Sequence, residues 1–508
     1  MLLLPSTLAL LSSALIFFTF PDGPLPHLAW IAFCPFALAI SNSRSVKSTL
    51  VWSIPYSITI WYLCTWWFVT GLQQIGSIEF VPAALLSTVP AIVGAVPYLA
   101  FALIAQHLRL FDPPLARPAC ASALLTLMVH LWPTPFPGHL AHSLYRETGL
   151  LQLASLGGES LLLLLINATS FVVSAAVSIR GKRRIAYGLA AIAIPAGSYL
   201  YGMAAHRSFE AAERSFDKVT IGMVQPNIAI PGLQQEGKTN ADYLKVPGAL
   251  SRKIVAEHPD IDLVVWPEIP LAFSVVNQPR DFELMDMLSK DLPVPLLISD
   301  FFYTYTDQAG DAPAFFNAMH LLHGSGEPKA TYVKNKLIPF GEFVPLENHF
   351  PILGELFPEV RRYTAGTEPS TITIGTLKIA PAICLEAIYS SHIADLVSKG
   401  ANIIINPGND AYFGQTPGPR VHLALSTFRA YEYRIPLVRV TNSGLSEAIT
   451  ASGRSLINGD KLLSAAIHVV TLPLPPRGAS FNPNRVTEIL CMVVLLLSAF
   501  SYLANKAR

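Results

Sequence analysis

Charge is what this chain is most short of. Only 14% of its 508 residues are Asp, Glu, Lys or Arg, where a soluble protein carries about 25%. The deficit is uneven: residues 1–205 are apolar with few charges, while 215–475 have ordinary globular composition. The split implies a membrane domain at 1–205, a soluble domain at 206–485 long enough for one large core, and a closing apolar segment at 486–508. No basic tract or acidic tail is present, so the composition gives no reason to expect a nucleic-acid partner. Cysteine is also scarce, with five in all. No CxxC or Cys/His cluster points to a metal. Cys34, Cys64, Cys120 and Cys491 lie in apolar runs, which leaves Cys384 as the one thiol of the polar part. That part therefore cannot close an internal disulfide, and cysteine usage does not reveal its compartment.

A helix needs about 20 apolar residues to cross about 30 Å of hydrocarbon. Eight stretches are read as spans: 3–20, 26–41, 50–72, 82–106, 118–134, 158–179, 185–203 and 486–504. The first lacks a preceding Lys or Arg and a small-residue cleavage site, so it reads as a retained helix rather than a signal peptide. Arg44 and Lys47, Arg109 and Arg117, Arg180 to Arg184, and Lys506 and Arg508 fall on alternate connections. The connections between them carry no Lys or Arg at 21–25 and 73–81, and only Arg146 at 135–157. The positive-inside rule then makes the basic loops cytoplasmic and puts 204–485 on the outer face, the periplasm in a bacterium with two membranes. One outer loop is unusual: 133–157 holds Pro133, Pro135, Pro137, Gly138, His139, His142, Tyr145, Arg146 and Glu147. It reads either as a solvated connector or as a lip that meets lipid head groups.

The polar part alternates strand and helix signals. β-branched or aliphatic runs bounded by turn residues occur at Val219–Gln225, Leu263–Trp266, Pro295–Ser299, Asn317–Leu322, Thr371–Ile383, Ile403–Asn406, Leu437–Val440 and His468–Leu472. Helical stretches fall at Tyr243–Glu257, Arg280–Lys290, Ser391–Lys399 and Arg420–Tyr433. The pattern is α/β, with sheet covered by helices; periodicity leaves open whether there is one sheet or two. Three reactive groups follow or flank strands: Glu268 after Leu263–Trp266, Lys334 in Tyr332–Glu342, and Cys384 at the end of Leu377–Ile383. A free cysteine is ordinarily a small buried hydrophobe. A thiol, an ammonium and a carboxylate at strand ends can instead share one cleft.

The motifs carrying these groups are Trp266-Pro267-Glu268, the Tyr332-to-Pro345 stretch with Pro339-Phe340-Gly341-Glu342-Phe343-Val344-Pro345, Ile383-Cys384-Leu385-Glu386, and Asn409-Asp410-Ala411-Tyr412-Phe413-Gly414. With them the chain resembles the nitrilase (carbon-nitrogen hydrolase) superfamily, and within it the membrane-embedded apolipoprotein N-acyltransferase family. Arg429, Glu432, Pro436, Arg439, Thr441, Asn442 and Gly444 look like that family's closing helix and strand. The resemblance covers nearly the whole chain. It implies an α-β-β-α sandwich beside a polytopic helical bundle of about eight spans, and a Glu268–Lys334–Cys384 triad. Leu385 stands where the family usually has tyrosine, and Tyr412 where it usually has tryptophan.

The implied activity moves an acyl chain from a phospholipid, through a Cys384 thioester, to the α-amine of a diacylated apolipoprotein. It needs no cofactor and places the chain, as a monomer, in the bacterial inner membrane. Lys334 would favour the thiolate, and Lys334 with the Leu385 N–H would hold the oxyanion. Glu342 and Glu386 are expected to hold Lys334 and tune its charge. Exposed apolar residues in Phe343–Gly366 suggest an arm on the bilayer surface, as an alternative to packing on the domain's own core. A membrane-tethered amidase would use the same triad. A transporter or receptor would instead show ionisable groups inside the spans, where His130, near the end of one, is the best candidate.

Overall fold

Scarce charge and long apolar runs predict helices that pack by small and aromatic side chains. The computed structural model describes residues 3–21, 23–76, 78–112, 117–134, 136–228, 240–268, 279–304, 313–358, 360, 362–457, 462–478 and 481–506. Pro135 of the outer loop, residues 359 and 361 of the apolar arm, and Arg508 lie outside the described residues. The chain packs as two units: Met1–Val69, Phe80–Ser208 and Asn482–Arg508 form one, and Thr70–Glu79 with Phe209–Phe481 form the other.

The first unit is helical. Among the described residues, Phe80–His107, Ala154–Ser178, Lys182–Glu213 and Asn484–Ser501 are long and apolar enough to cross a membrane. Leu3–Thr19, Pro26–Ser41 and Pro118–His130 are shorter apolar helices. The stretch read as one span at 50–72 is two helices, Val46–Thr65 and Trp67–Gly76. Aromatic rings fill the interior: Phe36 stacks on Tyr56 at 4.7 Å between centroids, and Phe101 on Phe171 at 5.8 Å. Proline lies inside several helices, at Pro55, Pro90, Pro97 and Pro195, as bundled helices tolerate.

The helix Ala154–Ser178 is broken at Gly157 and Gly158. Gly158 has φ +68° and ψ −176°, a region open essentially only to glycine. A Cβ there would lie 2.0 Å from Asn484 Oδ1. The close approach is used: Asn484 Oδ1 accepts from the Ser160 N–H at 3.1 Å and the Ser160 hydroxyl at 2.7 Å, and Thr487 donates to the Gly157 carbonyl at 2.7 Å. The break docks the C-terminal helix.

Among the described residues the second unit holds eleven strands: β1 Asp217–Gln225, β2 Leu263–Val265, β3 Leu296–Thr304, β4 Ala314–Leu322, β5 Ala330–Val333, β6 Ile372–Ile374, β7 Leu377–Pro381, β8 Ile403–Gly408, β9 Leu437–Thr441, β10 Glu447–Ile449 and β11 Ala466–Leu474. They form two sheets, ordered β11-β1-β2-β3-β4-β5 and β10-β9-β8-β7-β6. In each, three central strands run parallel: β1-β2-β3 and β7-β8-β9. Strands covered on both faces read as unbroken apolar runs, which is why Leu263-Val264-Val265 and Ile403-Ile404-Ile405 are fully buried. The sheets meet where the Ser446 hydroxyl donates to Gln225 Oε1 at 2.6 Å and the Ile228 N–H to Asn442 Oδ1 at 2.9 Å.

Helices cover the outside. Ile254 of Asn240–Glu257 and Met285 and Leu288 of Pro279–Asp291 pack with Val224, Val264, Leu296 and Ile298 of the first sheet. Trp266 is buried there, its indole N–H donating to Ser251 Oγ at 2.8 Å. Ser390–Ser398 and Gly418–Tyr433 lie against the second sheet. The single strand expected at Thr371–Ile383 is a hairpin, β6 and β7, turning at Gly375 with φ +56°. β5 and β10 are short strands that the sequence reading left out.

Substituting Gly158→Ala should destabilise the helical unit. Forcing a side chain into that backbone region costs about 1–3 kcal/mol, with the Asn484 clash added. Thermal unfolding in detergent should show a lowered Tm, and an unchanged Tm would contradict the docking role of the break.

Candidate active site

Ligands in open α/β sheets sit beyond the carboxyl ends of the strands. Glu268 follows β2, Lys334 follows β5 and Cys384 follows β7, and all three side chains are buried. Lys334 Nζ donates to Glu342 Oε1 at 2.8 Å and to Glu268 Oε1 at 3.4 Å. Asn317, on β4, bridges the same two carboxylates, its Nδ2 lying 3.0 Å from each. Glu342 is fixed from behind, where the Ile338 N–H donates to its Oε2 at 2.9 Å. Burial alone would lower the Lys334 pKa, but the Glu342 and Glu268 carboxylates overcome it and hold it well above the usual lysine value. The ammonium is therefore a permanent charge at neutral pH.

Cys384 has φ +52°, a strained left-handed conformation for a residue with a Cβ. The chain leaves β7, turns at Cys384, and enters the short helix Cys384–Ile388. Glu386 makes this turn possible. Its Oε2 accepts from the Ile383 N–H at 2.8 Å. Its Oε1 accepts from Tyr332 Oη at 2.7 Å, the Asn335 N–H at 2.7 Å and the Lys336 N–H at 3.0 Å. Glu342 thus grips the lysine side chain, whereas Glu386 ties the backbone after Lys334 to the backbone before Cys384.

A second set of groups holds the Cys384 carbonyl. Asn406 Nδ2 donates to it at 2.9 Å, and His422 Nε2 lies 3.1 Å away. The buried Arg439 guanidinium reaches Asp410 Oδ2 at 2.7 Å and His422 Nδ1 at 3.0 Å. Burial and Arg439 push the His422 pKa down, so the ring is neutral. Its Nδ1 also lies 2.9 Å from Asp410 Oδ1. Burial would raise the Asp410 carboxyl, but Arg439 and His422 outweigh it and bring its pKa down to about 2.

Burial and the Glu268 charge push the Cys384 thiol well above its usual value, against the opposing pull of Lys334. Lys334 pulls toward the thiolate, but burial and Glu268 outweigh it. The resting pair is a protonated thiol beside a carboxylate that can take its proton. Leu385 is buried beside the cysteine, and Tyr412 is close enough for the charges of Glu268 and Cys384 to act on its phenol, which burial foremost pushes far up. Asn317 and His422 were missed from the sequence. Asn317 sits inside an ordinary strand pattern, and a lone histidine on the helix Gly418–Tyr433 carries no spacing that marks it.

A carbon-nitrogen hydrolase model matches residues 220–462, and a model described as the apolipoprotein N-acyltransferase N-terminal domain matches 12–172. The apolipoprotein N-acyltransferase of Geobacter metallireducens is 26% identical over 88% of this chain and 85% of its own length. The chain belongs to the apolipoprotein N-acyltransferase family. The apolipoprotein N-acyltransferase of Allorhizobium ampelinum is 31% identical over 66% of this chain, and that of Bdellovibrio bacteriovorus 28% over 68%. Those two matches span 63% and 64% of the relatives' own lengths.

Glu268→Gln removes the negative charge that raises the Cys384 pKa while leaving Lys334 in place. The pH midpoint for alkylation of Cys384 by a small soluble reagent should therefore move down. Alkylation–pH profiles of both forms, followed by peptide mass spectrometry at Cys384, check this. An unmoved or raised midpoint would contradict the charge assignment.

Proposed function

We propose that the chain transfers an acyl group from a phospholipid, by way of a thioester on Cys384, to the N-terminal α-amine of a diacylated apolipoprotein. The observation that carries the reading is the buried Lys334 ammonium, held between Glu268 and Glu342 beside a cysteine on a strained turn. It belongs to a chain whose other unit matches the acyltransferase N-terminal domain. A tethered amidase would share the site, but that helical match does not favour it.

In the first half-reaction Glu268 takes the Cys384 proton as sulfur attacks the ester carbonyl. Lys334 holds the oxyanion, with the Leu385 N–H as second donor. When the intermediate collapses, the C–O bond breaks and Glu268 returns the proton to the lyso-phospholipid alkoxide. In the second half-reaction the apolipoprotein amine attacks the thioester. Glu268 accepts the amine proton, the C–S bond breaks, and the proton goes back to sulfur. The chain works as a monomer without a cofactor. Eight spans, with the catalytic residues on the periplasmic face of the inner membrane, are the arrangement that the basic loops and the helical segments best support.

Both substrates have acyl chains in the bilayer, so they enter sideways, past Phe343–Gly366. Its helix Pro351–Leu356 has no buried residue, and Leu346, Phe350, Ile352 and Leu356 are more than half exposed. Arg362 folds the arm over itself, reaching Glu347 Oε2 at 2.9 Å, the Gly354 carbonyl at 3.2 Å and the Phe357 carbonyl at 3.0 Å. A folded element with its apolar side outward suits a membrane surface.

Intact-mass analysis of the detergent-purified chain with phospholipid alone should show one acyl-sized adduct, lost in Cys384→Ala. Normal transfer by Cys384→Ala would refute the thioester. The double variant Phe350→Ser/Leu356→Ser should slow transfer from vesicle phospholipid several-fold, with alkylation of Cys384 by a soluble reagent unchanged. If both rates fall together, the arm is part of the catalytic core, and if neither changes it is an ordinary surface loop.

A further inference from the structure

The outer loop rich in proline and histidine takes no part in the chemistry above, yet its histidines are buried in the helical unit. His139 precedes the short 3-10 helix Leu140–Leu144, and His142 lies within it. With three residues per turn, such a helix sets positions three apart above one another, and the two imidazoles face each other at 4.1 Å between centroids. Glu159 meets them from another element. It is the residue immediately after Gly158, where the helix Ala154–Ser178 resumes. Its Oε2 is 3.0 Å from His142 Nε2 and its Oε1 is 3.8 Å from His139 Nε2. The three side chains are 2–5% exposed, and one donor atom from each lies within 4.8 Å of the others.

We propose that His139, His142 and Glu159 bind one divalent transition-metal ion of the zinc class, which fastens the 3-10 turn to the helix that resumes at Glu159. Two imidazoles and a carboxylate form a ligand set suited to such an ion. Donors about 2.0–2.1 Å from a tetrahedral ion stand about 3.3 Å apart; each imidazole Nε2 is near that spacing from one oxygen of the Glu159 carboxylate, at 3.0 and 3.8 Å, and small side-chain shifts would close the set of three donors, now within 4.8 Å of one another. His142 Nδ1 lies 3.1 Å from the His139 backbone N–H and 3.2 Å from the His139 carbonyl; with Nε2 on the metal, the proton on Nδ1 goes to that carbonyl, the usual support of a ligating histidine. From sequence the site is hidden, because His139-x-x-His142 lacks its third ligand until Glu159, 17 residues further on.

The test uses the full chain, purified in detergent on a tag without histidine, loaded with zinc and desalted, then analysed for metal content. The wild type should hold about one ion per chain, with Glu159→Gln and His142→Ala each reducing retention at least about tenfold. Should either variant fail to fold, cobalt on the wild type still decides. Visible d–d bands of a tetrahedral site should appear, without the near-ultraviolet thiolate band that a cysteine site would add. Wild type that retains no metal, equal retention by both variants when folded, or a thiolate band would each overturn the proposal. The first outcome would leave the cluster as a carboxylate sharing protons with two histidines.

Discussion

A lysine ammonium with no exposure to solvent sits at the centre of the second unit, and the neighbouring groups are arranged around that charge. Taking an ion out of water costs several kcal/mol, recovered only when partners are close and well directed. Glu342 supplies the short contact and Glu268 a longer one, while Asn317 holds both carboxylates in line. The pKa of Lys334 is raised, so the folded chain holds this proton more tightly than the unfolded chain. Its contribution to stability is complete below about pH 10.4, the reference lysine value, and fades as pH rises through the higher folded value.

The turn at Cys384 is the second constraint. A non-glycine residue at φ +52° persists only when its surroundings over-determine it, at a cost of about 1–3 kcal/mol. Here Glu386 holds the backbone on one side, and Asn406 with His422 holds the carbonyl on the other. The Arg439–Asp410 pair keeps His422 oriented. Sulfur is thereby presented at the end of a parallel strand, near the charges of Lys334 and Glu268, and remains a thiol until a substrate arrives.

The groups easiest to read in the sequence were those at strand ends. Parallel strands buried on both faces leave unbroken runs such as Leu263-Val264-Val265, and Glu268 and Cys384 stand directly beyond such runs. Glu386 holds backbone N–H groups rather than the Lys334 ammonium; one-dimensional spacing does not say whether a carboxylate faces a side chain or a row of backbone N–H groups. Asn317 and His422 act from a strand interior and a helix interior, where local pattern reports only the element. The hairpin at Gly375 was hidden in the Thr371–Ile383 run because apolar character continues across the turn. Helix ends in the first unit were blurred for a similar reason, since the Gly157–Gly158 break lies at the edge of an apolar run.

The catalytic arrangement depends most on Lys334 remaining charged. Nitrogen-15 NMR of lysine-labelled chain in detergent, with the Lys334 resonance assigned by its loss in Lys334→Met, reads that charge directly. An ammonium signal persisting above pH 10.5, beyond the titration of the exposed lysines, is the expected result. A neutral amine at Lys334 near pH 8 would contradict the account.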